Sequence, residues 1–388
     1  MRFITENKNN PFFLYIATNA PHGPYRVDSK WAMPYKRKEV NNANFFGMIA
    51  NIDHNLGLLR DHLKDLNLDE NTILVFMTDN GTSAGCKFPG LDTEPILGFN
   101  AGMRGKKSSI YEGGHRVPFF LHWPAGGFSK GRDIKTLAAH IDVLPTLADL
   151  CKLPKPDKRY DVDGLSLIPL LTNKANSWKR NHLFLQYHGG AHHKFALGPL
   201  TNSVVMTERW RLVNTDKAEE LYDIVNDPVQ RNNIAIQRPE IVKDLRTAYQ
   251  SFWQRVSPGL KPVAIDLGDP SENPAVLCSQ DWRPETGNPP WNFSSIKKIP
   301  KVTHPWLVNV LEAGEYRFTL RQWPKEADKP IIGVKARIKI AGIEKEALIK
   351  EGSKEIDFTL TLPSGITELW TYINNQQKQV GGAYFTEV

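Results

Sequence analysis

Ile73-Leu74-Val75-Phe76-Met77-Thr78-Asp79-Asn80-Gly81 is the stretch on which the reading of this chain turns. Its first five residues are apolar without a polar interruption. A strand that alternates has one face in water, whereas a continuous run suits a strand covered on both faces, as in α/β sheets. The run ends in a carboxylate, a carboxamide and a glycine. Asp79 and Asn80 offer hard oxygen donors of the kind that Ca²⁺ and Mg²⁺ take, and Gly81 permits a sharp turn away from them. Taken alone, Asp-Asn-Gly is usually a turn. At the carboxyl end of an α/β strand, where ligand crevices form, it becomes a candidate metal segment.

Working outward, residues 43–67 carry Phe46, Ile49, Ile52, Leu56, Leu59 and Leu63 at helical spacing. Residues 12–16, Phe-Phe-Leu-Tyr-Ile, read as a further buried strand. Residues 136–150 read as a helix with Pro145 as a kink. Strands alternating with helices predict a mostly parallel sheet between helix layers. Beyond Gly198 the pattern changes to short strands at 203–206, 210–214 and 219–223 and a closing helix at 239–256, a small antiparallel subdomain. Residues 258–300, rich in Pro, Gly, Asn and Ser, read as a linker or long loop. From Trp306 the apolar residues alternate with period two, for example over 316–320, 334–340 and 356–360, which predicts a β-sandwich. The expected organisation is 1–197, 198–257, 258–300 and 301–388.

Composition narrows the function classes. The 388 residues allow two or three units, and 40% hydrophobic with 23% charged residues is ordinary for a globular protein. No apolar run approaches the roughly 20 residues needed to span a bilayer. The net charge, 49 − 42 = +7, favours anionic partners, but no Lys/Arg-rich block with interleaved aromatics marks a nucleic-acid binder. Cys86, Cys151 and Cys278 match no zinc spacing, and their odd, sparse count argues against a disulfide scaffold. The first ten residues have no apolar core of a signal peptide. A chain that opens on a helix end feeding a core strand reads as cut.

Two further elements carry chemistry. Residues 103–118, Met-Arg-Gly-Lys-Lys-Ser-Ser-Ile-Tyr-Glu-Gly-Gly-His-Arg-Val-Pro, form a Gly-rich basic loop. Its lysine ammonium suits an oxyanion, although Glu112 and Arg116 read equally as a structural pair. Ala20-Pro21-His22-Gly23-Pro24 follows residues 12–16, and an imidazole there is able to donate to an oxyanion or protonate a leaving group; a capping or core role for His22 is the plainer alternative.

Together these elements resemble the sulfatase family. The matches, in the family's order, are residues 11–17 leading to Ala20-Pro21-His22, then Asn51-Ile52-Asp53, Thr78-Asp79-Asn80-Gly81, and Arg104 through Pro118. His140-Ile141-Asp142-Val143-Leu144-Pro145-Thr146-Leu147 and Glu220-Leu221-Tyr222-Asp223 with Asn226-Asp227-Pro228 complete them. The resemblance covers about residues 1–255, and Leu320-Arg321-Gln322-Trp323-Pro324 is similar to extensions of bacterial arylsulfatase-like proteins. It implies an α/β, alkaline-phosphatase-like sulfatase sandwich whose mixed sheet is incomplete in this chain, a small antiparallel subdomain and a β-rich C-terminal extension. It implies Ca²⁺ with Asp79 and Asn80 as two of its ligands, and Lys107 and His22 as sulfate-contacting catalytic residues. Lys106 stands where the family has a glycine, Glu112 and Arg116 shape the loop, and His140 is structural.

The resemblance further implies a sulfate ester substrate, with a sulfated glycan as its class, and action in the periplasm or outside the cell. It also implies a formylglycine made within Cys/Ser-x-Pro/Ala-x-Arg, and none of the three cysteines lies in such a motif. The nucleophile, the paired aspartates and the Gly-Lys-x-His segment of the family all belong upstream of the Ala-Pro-His strand, so the expectation is an N-terminally truncated sulfatase, inactive alone and weak in metal binding. The competing readings are a non-enzymatic remnant or glycan-binding module, and a phosphodiesterase or phosphatase of the same superfamily.

Overall fold

The computed structural model describes residues 1–88, 97–154, 162–174, 178–187, 201–215, 217–260, 262–284, 289–290, 293–297, 302–375 and 380–388. They form two compact units, one of the described residues up to 253 and one of those from 254 on.

The long helix of the first unit runs Ala43–Asp65. Asn42 caps it, its side chain accepting from the Phe45 N–H at 3.1 Å, which satisfies one of the N–H groups a helix start leaves open. His62 and Lys64 lie in its last turn, where cations favour the helix dipole. The face it buries is set by Phe45, Met48 and Leu63; Ile49, expected inside, is 42% exposed. Tyr25 meets Phe45 edge-on at 5.8 Å and Tyr35 stacks on Phe46 at 5.6 Å, fixing the preceding segment against the helix.

The strand Leu74–Met77 pairs antiparallel with Phe119–His122, Leu74 opposite His122 and Met77 opposite Phe119. This two-stranded ribbon is what the described residues form in place of the expected mostly parallel sheet. Residues 12–16 do not form the expected buried strand: they enter no ladder, and Phe13 and Tyr15 are each 77% exposed. A strand exists only by exchanging backbone hydrogen bonds with a neighbour, and no described strand pairs with this segment. The helix expected over 136–150 is shorter, a turn at His140–Asp142 followed by Val143–Leu150. Pro145 therefore falls in the first helical turn, where the missing N–H removes no intrahelical bond and no kink results.

Four strands, Leu183–Gln186, Ser203–Met206, Trp210–Asn214 and Glu219–Asp223, form an antiparallel sheet in chain order. Its alternation separates two faces. Val204, Met206, Val213 and Tyr222 pack against Ile110 and Tyr111 of the basic loop. Val205, Leu212 and Leu221 pack on the other side against Val242, Leu245 and Tyr249 of the helix Pro239–Val256. The sheet is thus a wedge that holds the basic loop from behind.

The second unit is a β-sandwich. One sheet has the order Val276–Cys278, Phe385–Glu387, Gly314–Arg321, Ile356–Leu362. The other has the order Ile343–Leu348, Lys335–Ile340, Gly365–Asn374, Trp306–Val310, Ile265–Leu267, with Val380–Gly381 pairing with Gly365–Asn374. Trp306, Val308, Ile338 and Leu369 of one sheet and Leu277, Phe318, Leu320 and Leu360 of the other fill a single core. Each fully buried Leu, Ile or Phe of this kind contributes roughly 1.5–3 kcal/mol. The stretch 258–300, expected as a linker or long loop, supplies two of these strands, and its Leu267, Leu277 and Trp282 are fully buried. The strands there have only three residues each, Ile265–Leu267 and Val276–Cys278, too short to show a period. Among the described residues no helix is long and apolar enough to cross a membrane.

Candidate functional site

Two backbone hydrogen bonds join the metal-type segment to the basic loop. The Gly81 N–H donates to the Gly114 carbonyl at 2.9 Å, and the Lys107 N–H donates to the Thr82 carbonyl at 2.9 Å. Gly81 is required for this approach: a Cβ there would lie 1.9 Å from the Gly113 carbonyl oxygen. The loop turns back on itself through Gly105, at φ +77°, and the Gly113 N–H closes it onto the Arg104 carbonyl at 2.8 Å. The sequence thus zips residues 78–82 and 104–114 together with glycines at the crossing points, and Lys107 is carried to the strand end that bears Asp79 and Asn80.

Charged and aromatic side chains behind the loop hold it in place. Glu112 is buried and accepts from Arg211 Nε at 2.7 Å; Arg116, the partner suggested by sequence, lies farther off at 3.6 Å. The Glu112 N–H donates to the Gln230 side-chain oxygen at 2.8 Å. The Arg104 guanidinium lies 3.7 Å from the centre of the Tyr111 ring and donates to the Tyr222 hydroxyl at 2.7 Å and to the Gln230 carbonyl at 3.0 Å. Tyr111 and Tyr222 both donate to Glu220, at 2.8 and 2.7 Å. Burial, and then this hydrogen bond to a carboxylate, hold both phenols well above their ordinary range. They stay neutral donors, and the knot is a support rather than a proton relay. Arg211 and Gln230 were not singled out by sequence, and Tyr222 stood within the matched stretch Glu220-Leu221-Tyr222-Asp223 without a role of its own. The one available signal was Arg211 itself, a charged residue within the apolar strand Trp210–Asn214.

Asp79 is exposed and its carboxylate accepts a hydrogen bond from the Asn80 side chain. The imidazole Nε2 of His140 lies 2.7 Å from the carbonyl oxygen of Thr78, so Nε2–H is the donor and ties the 139–142 turn to the residue before Asp79. That turn is itself fixed by Asp142, fully buried, which accepts from the Ala139 and Leu165 N–H groups, each at 2.8 Å, and pairs with Arg180. His140, read from sequence as structural, therefore supports the metal-type segment directly.

His22 is exposed and its Nδ1–H donates to the Gly23 carbonyl at 2.8 Å, leaving Nε2 as the ring atom that can face a ligand. Its segment meets residues 78–83 through Tyr25, whose hydroxyl is 3.4 Å from Ser83 Oγ. Lys107 is half-buried, and among the described residues its ammonium makes no ion pair. The structure thus gathers the three segments through their backbones and Tyr25, whereas no hydrogen bond or ion pair among the described residues joins the His22, Asp79 and Lys107 side chains to one another.

The donor set bears on the implied calcium. Asp79 and Asn80 fit in kind, as hard oxygens, but not in number: Ca²⁺ takes 6–8 oxygens, and among the described residues no group of three or more His, Cys, Asp or Glu side chains is placed to hold a metal. These residues do not by themselves make a calcium site.

Comparison with known proteins adds the family. The Sulfatase family model matches residues 1–153, and the model for the C-terminal part of N-sulphoglucosamine sulphohydrolase matches residues 104–253. The chain is 28% identical over 272 residues to an N-acetylgalactosamine-6-O-sulfatase of Bacteroides thetaiotaomicron, covering 65% of this chain and 49% of that protein. It is 27% identical over 261 residues to human arylsulfatase A, covering 62% of this chain and 48% of that protein. It thus spans about half the length of the curated relatives it matches. Among solved structures it resembles Ps i-CgsB in complex with k-i-k-neocarrahexaose, with a TM-score of 0.55 at 25% identity over 65% of this chain and 52% of the other. The mixed α/β first unit is that of the alkaline-phosphatase-like sulfatases, and the chain belongs to the sulfatase family.

Proposed function

We propose that the chain serves a sulfuric ester hydrolase, with Asp79 and Asn80 contributing two oxygens to a calcium site and with Lys107 and His22 receiving the sulfate group. The observation that supports this most is the pair of backbone bonds Gly81–Gly114 and Thr82–Lys107, which tie the loop bearing Lys107 to the residues that directly follow Asp79 and Asn80. In this reading the Lys107 ammonium offsets the negative charge of the sulfate oxygens as the ester bond breaks. His22, held through Nδ1, presents Nε2 to the leaving oxygen and gives it a proton. The nucleophile is supplied by residues other than these 388, since no Cys or Ser of the sequence begins a Cys/Ser-x-Pro/Ala-x-Arg motif. We accordingly propose that the 388 residues alone do not turn over sulfate esters. The substrate class we propose is a sulfated glycan, and the place of action the periplasm or the cell exterior, as the family resemblance implies. A phosphate ester hydrolase is the competing reading; the oxygen pair Asp79 and Asn80 weighs against one built on zinc, which favours nitrogen and sulfur ligands.

The test is sulfate release from 4-nitrophenyl sulfate and N-acetylgalactosamine 6-sulfate, with 4-nitrophenyl phosphate in parallel. The samples are the chain alone and the chain preceded by the N-terminal half of the Bacteroides relative, co-expressed with a formylglycine-generating enzyme. We expect no turnover by the chain alone. The fusion should release sulfate, at a rate reduced by about 10²-fold or more in Lys107→Ala. Turnover by the chain alone, a fusion indifferent to Lys107→Ala, or preference for the phosphate ester would overturn the reading.

A further inference from the structure

The outer face of the larger sheet of the sandwich carries an ordered grid of side chains that folding of the core does not require. Along the strand Gly365–Asn374 the residues Leu369, Thr371 and Ile373 point inward and are buried. Their neighbours Glu368, Trp370, Tyr372 and Asn374 occupy the opposite face, as the two-residue period of a strand dictates. The Trp370 and Tyr372 rings are parallel to within 8°, with centroids 6.3 Å apart. Trp370 stands opposite Lys339, and Tyr372 opposite Arg337. One strand further, Lys339 stands opposite Glu344 and Arg337 opposite Glu346. The Arg337 guanidinium lies 3.9 Å from the Tyr372 ring centre and pairs with Glu344 at 2.9 Å. The Trp370 indole N–H donates to Glu368 at 3.0 Å. Among the described residues Lys339 has no ion-pair partner, and Lys339, Glu344, Glu346 and Glu368 are exposed, so the face is open in this chain.

We propose that this face, centred on Trp370 and Tyr372, binds pyranose rings of a linear polysaccharide. The Trp370 ring and the face of the parallel Tyr372 ring that Arg337 does not cover give the apolar C–H faces of successive sugars surfaces to stack on, and amphipathic rings lose little entropy on contact. The flanking Arg337, Lys339, Glu344 and Glu346 supply donors and acceptors for the ring hydroxyls. Other ligand classes fit less well. Lys335, Arg337 and Lys339 are balanced by Glu344, Glu346 and Glu368, so the face has no excess of cations with which to hold a nucleic-acid backbone. It is a surface rather than a concave pocket, which disfavours a compact small molecule. Trp370 and Tyr372 lie on a strand paired on both sides, so no free edge is offered there for an added peptide strand. The site does not depend on the hydrolase reading of the first unit.

The experiment is affinity electrophoresis of the full chain through gels holding unsulfated chondroitin, agarose, chondroitin 6-sulfate or κ-carrageenan, at low and high salt. The variants are Trp370→Ala, Tyr372→Ala and Trp370→Phe. Tyr316→Ala is added as a control in a separate cavity of about 610 Å³ in the same unit. We expect retardation by at least one polysaccharide that persists at high salt. It should weaken about tenfold or more in Trp370→Ala and Tyr372→Ala, and remain in Trp370→Phe and Tyr316→Ala. Thermal midpoints equal to that of the unaltered chain show that the variants fold. Retardation by none of the four overturns the proposal. So does retardation that salt abolishes and Trp370→Ala leaves unchanged, or retardation that only Tyr316→Ala removes.

Discussion

Glu112 and Arg211, 99 residues apart in sequence, meet at 2.7 Å with both side chains buried. This pair bolts the basic loop that carries Lys107 to the antiparallel sheet behind it. Removing one partner of a buried ion pair costs about 3–5 kcal/mol when the other charge is left uncompensated, and without Arg211 the buried Glu112 would keep, among the described residues, only the exposed Arg116 at 3.6 Å. Arg211→Met should therefore lower the unfolding free energy of the first unit, read from a urea titration, by that much. The double variant Arg211→Met, Glu112→Gln should recover a large part, because no lone charge remains. Equal loss in the single and double variants would show that the pair acts through something other than mutual neutralisation.

Gly81→Ala tests the zip between the two functional segments. The added methyl would meet the Gly113 carbonyl, so the segments must separate or the backbone must shift. Overpacking of this kind costs about 1–3 kcal/mol. Amide hydrogen exchange at Gly81 and Lys107 should accelerate together, since their two bonds share one crossing. Acceleration at Gly81 alone would show that the Lys107 bond is held independently.

The pH dependence of stability has a definite sign. Burial pushes the imidazole of His115 below its ordinary value, and burial lowers that of His182 as well. The Nε2 atom of His115 is buried without a partner among the described residues, so a proton there gains no acceptor. With the folded pKa depressed, the unfolded chain binds more protons as pH falls through the ordinary histidine range near ~6.5. Stability is then full above that range and declines below it. Thermal midpoints should fall as buffer pH is lowered through this window, and His115→Leu should lessen the fall, leaving the share due to His182. A midpoint that rises on acidification would contradict the burial of these rings.

Calcium should do little to the chain alone. A ligand present at its own dissociation constant stabilises by only about 0.4 kcal/mol, and a site with two oxygens binds far more weakly than millimolar additions reach. Thermal midpoints with calcium chloride and with EDTA should coincide, and Asp79→Asn should behave alike in both. A calcium-dependent rise that Asp79→Asn abolishes would mean that further donors complete a site within this chain.

Much of this was legible in order along the chain. The helix over 43–65, the closing helix Pro239–Val256 and the sandwich strands within 306–362 follow from periods of 3.6 and 2, which are local properties. Asp79, Asn80, Lys107 and His22 were singled out as candidates because they stand at a strand end, in a Gly-rich loop and after an apolar run, and because the family resemblance falls on them. Less was legible where a pattern needed company. Residues 12–16 have the apolar content of a strand and enter no ladder among the described residues, and the strands within 262–284 are too short to show a period.

The sequence by itself determined the segments, their periods and the chemical type of each candidate residue, because propensity, glycine placement and apolar spacing act over a few neighbours. The tertiary structure alone decided that Arg211 rather than Arg116 lies closest to Glu112, that His140 grips Thr78, and that Trp370 and Tyr372 share an open face with Arg337. Those contacts close loops of tens to about a hundred residues. What selects them is the burial and strand register of distant segments, which no local stretch of sequence contains.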